Sequence, residues 1–329
     1  MGAKTLPERL VPVKSSGTVN GLVQEHGNEV IMNGKRLCVL AAVLCLASLG
    51  LGPATAESRP NIILCMTDDQ GWGDTSDVLM DAALDWIGKQ AAAKKPFLAL
   101  IWFPSPHGPH QATPEYAAPY AKSRKQAGYL GELAGVDHAM GTLRAALREM
   151  KIADDTMLWF CSDNGAAAPG STGGLPGGKK WLTEGGTRVP GILEWPARIK
   201  KPFATTVPAC TMDFYPTTLD VLGIKTASEA GPIDGISLLP LIDGRMTSRP
   251  KPIPLVSGMN FRLVDNEYRF QKGRLFRFDE EQKKDVDVTD EKLDDYRRLA
   301  EVNKQFLDSV KKDQAAYAFK KPAKGAETK

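Results

Sequence analysis

A marked excess of either charge is missing from this chain. Across 329 residues, 42 lysines and arginines are set against 39 aspartates and glutamates, a net charge of +3. So even a balance gives no basic surface to neutralise phosphates, which excludes nucleic acid as the partner. Cysteine is scarce: of five, Cys38 and Cys45 fall in an N-terminal apolar stretch, leaving Cys65, Cys161 and Cys210. An odd remainder of three excludes a disulfide scaffold. Cys65 and Cys161 sit inside apolar runs, the setting of buried, inert thiols. Histidine is scarcer still. Beyond the N-terminal segment there are His107, His110 and His138, few for a zinc centre built on several imidazoles. Internal repeats are absent. Long hydrophobic runs are nearly so: Leu37 to Leu51 is too short and wrongly flanked to span a bilayer, so no stable membrane anchor is expected.

That stretch has another use. Met32-Asn33-Gly34-Lys35-Arg36 forms a basic start, the apolar stretch follows, and Ala54-Thr55-Ala56 is a small-x-small cleavage site. Residues 32–56 therefore fit a signal peptide that exports the chain to the periplasm or the exterior, with Met32 as initiator and a mature start near Glu57. The expected organisation is an N-terminal extension and signal over 1–56, an α/β domain over 57–244, an α+β subdomain over 245–314 and a frayed tail over 315–329.

Three apolar runs of strand type, near Asn61–Met66, Phe97–Phe103 and Thr156–Cys161, alternate with helical patterns over Asp77–Lys95 and Ala127–Met150. In the first helix Leu79, Ala83, Trp86, Ile87 and Gln90 fall on or near one face. Alternation of this kind predicts an α/β domain with a mainly parallel sheet. Another short strand is expected over Val189–Glu194. Beyond about Gly244 the pattern changes to short strands with turns over 255–288, then an amphipathic helix over Asp290–Lys311 that Thr289 and Asp290 could cap. That predicts a small antiparallel sheet with one helix on it.

The informative residues stand where apolar runs end. The first run leads into Thr67-Asp68-Asp69-Gln70-Gly71, the third into Ser162-Asp163-Asn164-Gly165. Each alone is ordinary turn chemistry. Together they put three carboxylates and an amide oxygen at the carboxyl ends of strands, where open α/β sheets bind ligands, and such a set suits Ca²⁺ or Mg²⁺. The second run ends in Ser105-Pro106-His107-Gly108-Pro109-His110, where His107 is either an acid, base or anion ligand or a loop histidine without a task. Gly177-Gly178-Lys179 offers a lysine that can reach an oxyanion, with Lys180 beside it as an equal candidate.

In order and wording these motifs, with Glu184-Gly185-Gly186-Thr187-Arg188-Val189-Pro190 and Asp234-Gly235-Ile236-Ser237-Leu238-Leu239-Pro240-Leu241, resemble the sulfatase family over roughly residues 59–310. The resemblance implies an alkaline-phosphatase/sulfatase-like α/β fold and hydrolysis of sulfuric esters, with a sulfate ester or sulfated polysaccharide as partner. It implies Ca²⁺ held by Asp68, Asp69, Asp163 and Asn164. It assigns sulfate oxygens, and assistance to the departing alcohol, to His107 and Lys179, and a structural role to Arg188. The related zinc phosphatases and phosphodiesterases want more histidines than this chain has.

One departure is large. The family's nucleophile motif, Cys or Ser followed by x-Pro-x-Arg, whose first residue becomes formylglycine, does not occur; Thr206-Val207-Pro208-Ala209-Cys210 and Ser248-Arg249-Pro250-Lys251-Pro252 both fail it. The family's Gly-Lys-Trp-His-like segment is absent too. Both belong between the first acidic turn and the His107 loop, where Ser76 meets Asp77 directly, a join with the form of an internal deletion. One βαβ unit takes about 30 residues or more, so several units would be lost, leaving apolar edges uncovered. Three outcomes follow: a sulfatase by descent without its attacking group, a non-catalytic binder of Ca²⁺ or sulfated glycan, or the non-functional product of a deleted gene.

Overall fold

The computed structural model describes residues 59–68, 76–123, 126–225, 233–258 and 260–316. The signal peptide, Asp69 and all but the start of the C-terminal tail lie outside them. Four strands form the main sheet: β1 (Asn61–Asp68), β2 (Leu98–Pro106), β3 (Thr156–Ser162) and β4 (Gly191–Glu194). Their order is β2-β1-β3-β4, with β2, β1 and β3 parallel and β4 antiparallel to β3. The near-continuous apolar runs of β1 and β3 suit central strands with cover on both faces.

One face carries Ile63, Cys65, Ile101, Phe103 and Leu158 and packs on two helices, α1 (Ser76–Ala92) and, beyond a short turn α2 (Pro114–Ala117), α3 (Ala127–Glu149). From α3 this core takes Val136, Ala139, Leu143 and Leu147, spaced on one helical stripe. After β3 in the chain comes a one-turn helix, α4 (Glu184–Thr187). The opposite face carries Ile62, Met157, Trp159 and Leu193 under Val221 and Leu222 from α5 (Phe214–Val221) and its cap, and Leu239 and Ile242 of α6 (Leu239–Ile242). Phe214 meets Trp159 edge-on at 4.9 Å. That cover does not reach β2, where Leu98, Leu100 and Trp102 are 52%, 56% and 59% exposed.

Two expectations for α1 change. The stripe it buries centres on Met80 and Ile87, while Trp86 turns outward and sets its ring edge-to-face with Phe97 at 5.6 Å. The helix also stops at Ala92, before Pro96 can end it: Lys94 adopts φ 51°, and Lys95 N–H donates to Gln90 O at 3.0 Å, a left-handed C-cap. Lys151 ends α3 the same way, at φ 58°.

The second sheet is an antiparallel meander: β5 (Ile253–Ser257), β6 (Asn260–Asp265), β7 (Tyr268–Gln271), β8 (Arg274–Asp279) and β9 (Lys284–Asp287). Helix α7 (Leu293–Ala316) lays Leu299, Tyr296 and Val302 over Leu263, Phe270 and Leu275. The fold is thus α/β with a small antiparallel sheet and one helix. Thr289 does not cap α7; its hydroxyl accepts from Leu275 N–H at 3.0 Å and fastens the chain to β8.

Candidate active site

Because β2, β1 and β3 are parallel neighbours, their carboxyl ends meet at one rim. Thr67 is in register with Ser162, and Asp163 N–H donates to Thr67 O at 3.2 Å. On the other side a register shift after Thr67 sets Asp68 opposite Pro106, the residue before His107. The backbone therefore brings Asp68, His107 and Asp163 to three adjacent strand ends, the place where open α/β sheets bind ligands. Of the four expected metal ligands, Asp69 lies outside the described residues, and of Asp68 the backbone alone is described. Among the described residues, no cluster of three or more His, Cys, Asp or Glu side chains forms.

A cleft of about 1330 Å³ opens at this rim, with His107, His110, Tyr129, Ser162, Asp163 and Asn164 on its wall. His107 is half-buried, its Nδ1 2.7 Å from Gly108 O. A carbonyl accepts, so this contact keeps the proton on Nδ1. Asp163 is exposed, and Asn164 Nδ2 donates to its carboxylate. Arg188 also lines the cleft and pairs with Glu280 at 2.5 Å.

The glycine-rich segments behind this wall pack backbone on backbone. Gly165 N–H donates to Gly186 O at 2.9 Å, and Lys179 N–H to Ala166 O at 3.1 Å. A Cβ on Gly165 would stand 1.8 Å from Gly185 O, and one on Gly186 2.0 Å from Trp181 O. Glycine is needed there for close approach. The same packing ties the Asp163-Asn164 turn to the Lys179 segment and to α4. Lys179 is half-buried and does not itself line the cleft.

Glu184, at the start of α4, is nearly buried. It accepts from Arg269 Nε at 2.7 Å and lies 3.6 Å from the Arg262 guanidinium. Arginines of the second sheet thus hold the segment that backs the site. The three described cysteines are thiols with raised pKa values. Burial pushes the Cys65 thiol up to about 12 and, with Asp163 adding, Cys161 to about 11. Cys210 is pushed to about 11, first by burial and then by Asp213. All three are protonated at neutral pH.

Two cleft residues, His110 and Tyr129, and the buried Glu132 behind them received no role from sequence. His110 Nδ1 lies 3.1 Å from Glu132 Oε2, and Glu132 is fully buried. A signal was available. Glu132 precedes Val136, Ala139 and Leu143 at helical spacing, a carboxylate on an otherwise apolar stripe.

Comparison with known proteins decides the family. The model for the sulfatase family matches residues 50–224, more than half of the chain. The chain belongs to the sulfatase family. Among curated sulfatases it is 33% identical over 187 residues to the N-acetylgalactosamine-6-sulfatase of Canis lupus familiaris, a match covering 55% of this chain and 35% of that protein. To the steryl-sulfatase of Homo sapiens it is 31% identical over 167 residues, covering 47% of this chain and 28% of that one. The matches thus span about a third of these relatives' length. The crystal structure of Ps i-CgsB superposes with a TM-score of 0.63 at 25% identity, covering 70% of this chain and 54% of that one. BT4656, solved with its substrate D-glucosamine-2-N,6-O-disulfate, shares the fold with a TM-score of 0.53 at 14% identity.

Proposed function

We propose that this cleft recognises a sulfate ester carried on a sugar and does not hydrolyse it by the family's covalent route. The observation that carries the reading is the meeting of Asp68, His107 and Asp163 at three adjacent parallel strand ends in a sulfatase-family fold. His107 would take one sulfate oxygen. Lys179, tied through its backbone to Ala166, would take another by swinging its side chain to the wall. Hydrolysis is forfeited because no Cys/Ser-x-Pro-x-Arg segment supplies formylglycine, and the described cysteines are thiols, Cys65 and Cys161 buried and Cys210 half-buried.

Asp68, Asp69, Asp163 and Asn164 would hold Ca²⁺. Their donors are all oxygen, the chemistry a hard cation selects. The Asn164–Asp163 hydrogen bond fits this use. Turning the amide by half a rotation sets its oxygen beside the carboxylate, a pairing that a cation between them would stabilise. Bound there, the ion would supply positive charge against the sulfate. Three donors and an amide bind more weakly than a set completed by the nucleophile's oxygen. The segment from Met32 would direct export.

Equilibrium dialysis of N-acetylgalactosamine 6-sulfate against the full chain, with and without Ca²⁺, tests the reading when the dialysate is analysed for free sulfate. Calcium-dependent retention of intact ester supports it; no retention overturns it.

The uncovered face of β2 favours a second reading, that the Ser76–Asp77 join is an internal deletion. Sequencing the locus across both codons decides. Contiguous codons uphold a genuine deletion. Intervening coding sequence containing Cys/Ser-x-Pro-x-Arg would make the complete protein an exported sulfatase.

A further inference from the structure

Glu132 is an expensive residue to bury. Its side chain is 0% exposed on the core stripe of α3, and a carboxylate without partners there would cost several kcal/mol. Two donors answer it, one at each oxygen: Gln111 N–H at 2.7 Å on Oε1 and His110 Nδ1 at 3.1 Å on Oε2. The segment carrying both is pressed onto the helix at its glycines: a Cβ on Gly128 would stand 2.8 Å from His110 O, and one on Gly131 2.5 Å from Ala112 Cβ. The His110 ring is fixed from a third side by Tyr129, edge-to-face at 5.2 Å. So held, the imidazole is 24% exposed and lines the cleft. A carboxylate on Nδ1 keeps a proton there and commits the second nitrogen to something else. That nitrogen lies on the Gly108 side, 3.9 Å from where a Gly108 Cβ would stand, and Gly108 is an exposed cleft residue next to His107.

We propose that His110 is a sugar-recognition residue: its Nε2 contacts a ring hydroxyl of the sulfated sugar, with Glu132 as the positioning residue that aims it. The contact forms a carbohydrate subsite beside the anion end made by His107 and the strand ends. This deepens the function proposed above and rests on it. Tyr129, on the same wall, gives the ring an apolar surface. The dyad is built in advance of the ligand, so little ordering is left for binding.

The test compares equilibrium dialysis of N-acetylgalactosamine 6-sulfate and of inorganic sulfate on the full chain and two variants. His110→Asn keeps a donor for Glu132 but cannot reach the cleft. His110→Gln places its amide nearer the position of Nε2. The expected result is an affinity about tenfold lower for the sulfated sugar in His110→Asn, the scale of one lost hydrogen bond, with inorganic sulfate unchanged. Recovery of most of that loss in His110→Gln completes the pattern. Unchanged sugar affinity in His110→Asn overturns the proposal, and so does an equal loss for both ligands, which would move His110 to the anion end. If the wild-type chain binds neither ligand, the cleft reading falls and takes this inference with it. If it binds both and the variants match it, this inference alone falls.

Discussion

Asp163 and Asn164 are the described residues on which the metal reading turns. If they hold Ca²⁺ with the first acidic turn, a hundredfold excess of the ion over its Kd raises stability by about 2.7 kcal/mol. Scanning fluorimetry reads this as a higher Tm for the wild-type chain and no calcium-dependent shift for Asp163→Ala. A shift surviving in the variant removes Asp163 from the site. Gly165 carries a different kind of weight. Its absent Cβ is what lets the β3 turn touch Gly185, so Gly165→Ala forces the two backbones apart and costs about 1–3 kcal/mol, read in a urea melt. A variant as stable as wild type would mean that the turn relaxes freely. The strand-end acids and His107 were legible because they sit at the ends of apolar runs. The His110–Glu132 dyad was not, because its partners lie on a loop and a helix 22 residues apart, linked by no local pattern.

At the scale of elements, strands and long helices follow from periodicity. β1, β2, β3 and α3 stand close to where their apolar runs place them, since a buried run has few other solutions. Helix ends were less legible, because Lys94 and Lys151 take left-handed conformations that sequence assigns to glycine. Links between elements were not legible at all. Arg249 and Asp213 form a bidentate pair at 2.7 and 2.8 Å, both side chains 0% exposed, joining the run before β5 to the start of α5. Asp213 also accepts from Cys210 N–H and Ile236 N–H, each at 2.8 Å. Arg249→Ala strands a buried carboxylate and is expected to cost about 3–5 kcal/mol in chemical denaturation. A loss under about 1 kcal/mol would show that water reaches Asp213.

Asp243, the cap of α6, is held down to about 2 by hydrogen bonds from Arg198 and then Arg245. A depressed carboxylate stabilises the fold above its unfolded value, near 3.8, and loses that contribution as pH falls toward 2. Asp243→Asn should therefore narrow its Tm deficit against wild type across that window. A constant deficit would assign the pair no folding role.

The whole molecule bears the mark of what does not cover it. Leu98, Leu100 and Trp102 point the same way from edge strand β2, each more than half exposed, beside a strand edge that is unpaired among the described residues. Such a surface invites association. Leu100→Lys should lower the light scattering of concentrated protein without lowering its Tm; unchanged scattering would locate association elsewhere. An internal deletion at the Ser76–Asp77 join would leave apolar edges, but sequence could not say which strand would carry them, since strand order is set by the whole sheet.

The central claim, a sulfatase-family cleft that binds a sulfate ester without turning it over, is tested most directly by calorimetric titration of N-acetylgalactosamine 6-sulfate into the full chain with Ca²⁺ present. The account predicts saturable heats that return to baseline after each injection. A sustained displacement of the baseline, the signature of continuing hydrolysis, or the absence of any binding heat at two temperatures would contradict it.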